Sequence, residues 1–118
     1  MGKVYALPPR GAKRHRPSRA LHFTRSELHQ LLSLYSRRVA RGEWRDYAID
    51  HGPGRATFSI FRHTAARPAY SITKLAGNGR KPARFTLTAG PRKLTQAASI
   101  DDVVAKLDQQ LRLVWTTP

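Results

Sequence analysis

The densest run of groups that could do chemistry is Asp50-His51-Gly52-Pro53-Gly54-Arg55, an acid and a base set ahead of a glycine-proline-glycine turn. An acid/base pair, a phosphate cradle and a metal site all come into question there. The pair fails on geometry, because neighbours along a strand point to opposite faces and no third group is marked by spacing. The cradle fails on donors, since Pro53 has no N–H and no helix follows Arg55 to offer a positive dipole end. The histidines at 15, 22, 29, 51 and 63 show no i, i+4 pair and have no cysteine to join them, so no metal site is indicated. Glu43, Asp46 and Asp50 recur at three- and four-residue steps that would share a helix face, but a strand disperses them. With no catalytic constellation, no cofactor motif and no small-molecule substrate indicated, the chain reads as a non-enzyme.

The elements around the stretch explain it as a hairpin. Tyr47 and Ile49 on one side, and Ala56, Phe58 and Ile60 on the other, alternate with polar or small residues at the period of a strand. If residues 51–54 are the loop, Asp50 faces Arg55, Ile49 faces Ala56 and Tyr47 faces Phe58, so like meets like and charge meets charge. Tyr70 and Ile72 begin a third strand, "RFTLTA" with Phe85 and Leu87 a fourth, and Lys93 to Thr95 a short fifth. The intervening "AGNGRKPA" is a loop, and its Arg80 and Lys81, with Arg84 beyond, form a basic finger.

A helix precedes the sheet and another follows it. Thr24 and Glu27 make a capping box, Phe23 and Leu28 a staple, and Leu28, Leu31, Leu32, Tyr35 and Val39 an apolar stripe, so helix is expected over about 25–41 with Gly42 as its left-handed stop. Arg37, Arg38 and Arg41 in the last turns oppose the helix dipole or contact phosphate, two roles the sequence leaves open. Ser99 with Asp102 starts a second helix, about 100–113, with Ile100, Val103, Val104, Leu107 and Leu111 on one stripe. The fold class is α+β: an antiparallel sheet of four to five strands in a meander, with an N-terminal and a C-terminal helix packed on one face. The other face then shows Thr57, Ser59, Phe61, Ser71, Thr73, Thr86 and Thr88. Phe61 is its one large apolar residue, placed to stack on a base or to be covered by the arm or a partner chain.

Charge is the strongest compositional signal, with 22 Lys and Arg against 7 Asp and Glu, a net +15 and a pI near 11.6. An excess of this size implies a polyanionic partner, nucleic acid first and an anionic membrane surface second, unless it only reflects an Arg-rich composition. Residues 1–20 hold Lys3, Arg10, Lys13, Arg14, Arg16 and Arg19, three prolines and no acid, the composition of a disordered basic arm. Residues 21–118 form one domain by length. The absence of cysteine suits a reducing compartment, and no apolar run reaches the roughly 20 residues of a membrane span or makes a signal peptide, so the cytoplasm is expected.

The strings "SELHQLLSLYSRRVARGEW", "RDYAIDH", "FSIFRHT" and "PAYSITK", in this order and over roughly Phe23 to Val114, resemble an uncharacterised alphaproteobacterial domain-of-unknown-function family of short basic proteins, number 2794. The resemblance implies a bacterial, single-domain, cytosolic protein and assigns no activity or functional residue. The reading reached from the residues is a nucleic-acid-associated protein that contacts phosphates with little sequence preference. Its candidate contacts are Arg10, Lys13, Arg14, Arg16 and Arg19 in the arm, Arg37, Arg38 and Arg41 at the helix end, and Arg80 and Lys81 in the loop. The alternative is a protein-interaction or assembly factor, including a homodimer, that uses the open sheet face around Phe61.

Overall fold

Thr24 stops the chain from entering the first helix late: its hydroxyl accepts the Glu27 N–H at 3.1 Å, and the Glu27 carboxylate accepts the Thr24 N–H at 2.8 Å. This reciprocal box satisfies two of the free donors of a helix start and sets helix α1 at Arg25–Ala40. Gly42 ends it with φ +77°, which allows Gly42 N–H to reach the Val39 carbonyl at 2.8 Å and Glu43 N–H the Arg38 carbonyl at 3.0 Å. That pair of bonds is a Schellman stop, and it turns the chain back toward the sheet.

The computed structural model describes residues 20–63 and 67–116, with side chains to Arg112. The basic arm therefore lies outside the described residues but for Ala20, and with it Arg10, Lys13, Arg14, Arg16 and Arg19. After α1 come strands β1 (Asp46–Gly52), β2 (Arg55–Phe61), β3 (Tyr70–Leu75), β4 (Arg84–Ala89) and β5 (Arg92–Ala97), then helix α2 (Ile100–Thr116). The strands form one antiparallel sheet in the order β1-β2-β3-β4-β5. The meander and its flanking helices stand as expected, with β5 and α2 longer than their patterns suggested.

Period-two alternation sorts the strands into two faces. Phe58, Ile60, Tyr70, Ile72, Phe85 and Leu87 point to one face and join Phe23, Leu31 and Leu34 around α1, and Ile100, Val103, Leu107 and Leu111 of α2, in a single buried core. Each fully buried large side chain contributes roughly 1.5–3 kcal/mol, so this layer holds the helices on the sheet. Two details differ from expectation. The buried line of α1 runs through Leu31, Leu34 and Arg38, while Val39 is 40% exposed, because α2 packs against the side of α1 that carries Arg38 rather than the side that carries Val39. The β1–β2 loop is only Pro53-Gly54, and the register pairs Gly52 with Arg55, Asp50 with Thr57, Ile49 with Phe58 and Tyr47 with Ile60. The shift from the expected pairing is two residues, an even number, so every side chain keeps its face.

The meander gives the domain two distinct ends. The end of β1, start of β2, end of β3, start of β4 and end of β5 lie together through the strand pairings. Leu21 N–H bonds the Gly52 carbonyl there at 3.0 Å, so α1 starts at this end, and α2 starts there directly after β5. We call it the helix-N end. The opposite, helix-C end collects the last turn of α1, the start of β1, the end of β2, the start of β3 and the β4–β5 turn, and α2 runs toward it.

Candidate anion-binding surface

Arg38 is the first residue whose position decides its role. Only 6% of its side chain is exposed; Nη2 lies 2.6 Å from Asp108 Oδ1 and Nη1 3.4 Å from Glu43 Oε1. The guanidinium thus ties the end of α1 to the middle of α2, and the Schellman turn delivers Glu43 to it. Burial by itself would raise the Asp108 carboxyl, but the hydrogen bond from Arg38 and the charges of Arg112, Arg38 and Arg37 outweigh burial and hold it below its ordinary value. Arg112 completes the group with an Nη2 to Asp108 Oδ2 contact of 3.0 Å, its own side chain 74% exposed.

Around this buried pair the surface is basic. A groove of about 710 Å³ between the ends of the two helices is lined by Arg37, Arg38, Ala40, Arg41, Asp108 and Arg112. Arg37 and Arg41 are exposed. Arg45 precedes β1, Arg62 follows β2, Arg67 precedes β3, and Arg92 and Lys93 open β5, all exposed at the same helix-C end. Of the acids there, Glu43 and Asp108 are held by Arg38, which leaves Asp46 as the acid with no cation partner among the described residues. Arg112 pairs with Asp108, and the other seven exposed cations against that one acid make this end strongly positive among the described residues.

Arg80 and Lys81 stand elsewhere. They occupy the β3–β4 loop, where Asn78 and Lys81 exchange backbone hydrogen bonds at 2.9 Å in each direction, at the helix-N end. Strands of six and seven residues put about 20 Å between the two ends. One local contact therefore cannot use Arg37 or Arg41 together with Arg80 and Lys81. At the helix-N end the exposed cations Arg25, Arg55, Arg80, Lys81 and Arg84 are accompanied by the exposed acids Asp50, Asp101 and Asp102, so the field of the described residues is weaker there.

The run at the hairpin tip is a turn. Pro53 and Gly54, the latter at φ +68°, have the residue arrangement of a type II turn. Gly52 accepts from Leu21 N–H at 3.0 Å and Gly54 from Ala76 N–H at 2.9 Å, so neighbouring segments use this backbone. Asp50 does not pair across the strands with Arg55, and the His51 ring lies 4.2 Å from that of His22.

Two features go beyond what the sequence pattern led one to expect. Lys74, on the inward side of β3, is 7% exposed and donates from Nζ to the His22 carbonyl at 3.0 Å and to Glu27 Oε1 at 2.8 Å. Strand parity with Tyr70 and Ile72 was the signal for it. The second is aromatic: Phe61 is half-buried and shares the open face with Leu75, whereas among the described residues the large apolar side chains most exposed are Val39 and Tyr47, at 40% and 38%. Among the described residues no group of His, Asp or Glu is placed to hold a metal ion, and no helix is long and apolar enough to cross a membrane.

A family model described as "Protein of unknown function (DUF2794)" matches residues 21–94, from just before α1 into β5. The match ends short of α2, where the resemblance had extended to Val114. No curated protein and no solved structure matches the chain.

Proposed function

The chain belongs to the family of proteins of unknown function DUF2794, which brings no activity with it, and we propose from the surface itself that this is a non-enzymatic protein that binds nucleic acid through backbone phosphates. The observation that carries the reading is the charge contrast between the two ends. Among the described residues, seven exposed Arg and Lys side chains besides the Asp108-bound Arg112 converge at the helix-C end, where Glu43 and Asp108 pair with Arg38 and Arg112 and Asp46 is the remaining acid. Guanidinium groups pair with phosphate oxygens through parallel N–H donors, and each phosphate neutralised releases condensed counterions. The cations come from helix ends, strand ends and turns rather than from one shaped pocket, which fits contact with a backbone more than readout of bases. Both helix C-termini also lie at this end, so part of the cation charge offsets their dipoles and the rest faces outward.

A protein partner on the open sheet face has less support. Its central rows are Thr57, Ser59, Ser71, Thr73, Thr86 and Thr88, small hydroxyl side chains with no large apolar anchor among them. Nucleic-acid association in a cysteine-free chain also fits the cytoplasm as its compartment. The test is binding of a labelled mixed-sequence 20-nucleotide DNA as salt is raised. The reading expects affinity to fall steeply and linearly in log-log form between about 50 and 200 mM salt, with similar affinity for an unrelated sequence. Absence of binding at the lowest salt would refute it.

A further inference from the structure

An exposed tyrosine on a basic surface is informative when its ring is held in place from behind. Tyr47 sits at the start of the edge strand β1, with its ring stacked on Phe58 at 5.3 Å and 19°, and edge-on to Tyr35 at 4.8 Å and 73°. Tyr35 in turn stacks on Trp44 at 6.0 Å, and Trp44 meets Tyr70 at 6.4 Å. The row ends with the Arg62 guanidinium 5.7 Å from the centre of the Tyr70 ring. Five rings thus back one another, and Trp44 within them is 2% exposed while Tyr47 at the margin is 38% exposed. Val39, one helical turn beyond Tyr35 on the same side of α1, is 40% exposed, and it and Tyr47 are the most exposed large apolar side chains among the described residues.

The surroundings identify what such a surface fits. Arg45 is exposed two residues before Tyr47, and its N–H bonds the Phe61 carbonyl at 2.8 Å, fixing the chain at that point. Arg41 and Arg62 are exposed at the same end. Asp46 lies between Arg45 and Tyr47 and accepts the Tyr47 N–H at 2.8 Å. An apolar ring with cations beside it matches a nucleotide, base on the ring and phosphate on the guanidinium, and duplex DNA does not offer an unstacked base. We propose that Tyr47, supported by Val39, is a base-stacking platform and that the preferred partner is single-stranded nucleic acid.

This inference rests on the phosphate-binding reading and adds the strand form to it. The experiment uses the unaltered chain and three labelled probes of equal length: a mixed-sequence single-stranded DNA, its duplex, and an abasic strand with the same phosphates and no bases. Stacking of one base is expected to make the single strand bind about tenfold more tightly than the abasic strand. Tyr47→Leu should erase that difference, and Tyr47→Phe should keep it. Equal affinity for the abasic and base-containing strands overturns the platform while leaving phosphate binding in place. No binding of any probe at low salt overturns both.

Discussion

Arg38 joins two helices by charge at a position where an apolar side chain would ordinarily do it. Its carboxylate partners keep some water, with 14% of the Glu43 and 26% of the Asp108 side chain exposed. Replacing it by Met therefore strands two acids at a partly wet seam, and the expected loss is about 2–3 kcal/mol, below the range for a fully buried pair. Urea unfolding of Arg38→Met measures it. Asp108 adds a pH dependence: its carboxyl titrates lower in the folded chain than unfolded. Its stabilising contribution is thus present above the ordinary carboxylate range and disappears as pH falls through the lower folded value. Asp108→Asn should lower stability at neutral pH and decline less steeply below about pH 4, read from urea midpoints across pH.

The stop of α1 shows how an element positions the site. Gly42 at φ +77° makes the turn that sends Glu43 to Arg38 and leads to Trp44 and Arg45. An alanine there pays the cost of a left-handed conformation, so Gly42→Ala should lose about 1–2 kcal/mol, seen as a lower thermal midpoint. This stop was legible in the sequence, as were the capping box, the meander and the inward faces of Phe58, Ile60, Tyr70, Ile72, Phe85 and Leu87, while the faces of Lys74 and Leu75 were not. The register of the first hairpin was not, because strand alternation is the same for a two- or four-residue loop and shows nothing of the bonds that Leu21 and Ala76 make to the tip. Nor was the buried side of α1, since helical spacing admits both Val39 and Leu34 and only the packing of α2 chooses between them. Arg38 was legible as a charge near a helix end but not as a buried one, because Asp108, its closest partner, lies 70 residues away.

For the whole molecule, the sequence announced an excess of positive charge without its distribution. Strand connectivity assigns each described cation to an end, and the pairing of Glu43 and Asp108 with Arg38 and Arg112 decides which acids stop counting outside. Among the described residues the helix-C end thereby becomes the stronger field, and Arg80 and Lys81, alike in sequence, belong to the weaker one. The most direct test compares the salt dependence of single-stranded DNA binding for two sets of variants. Arg37→Gln with Arg41→Gln and Arg45→Gln should weaken binding at least tenfold and flatten the log-log salt slope by about two. Arg80→Gln with Lys81→Gln should leave affinity within about twofold and the slope unchanged. If the second set weakens binding as much as the first, or the first leaves the slope intact, the helix-C end is not the contact surface.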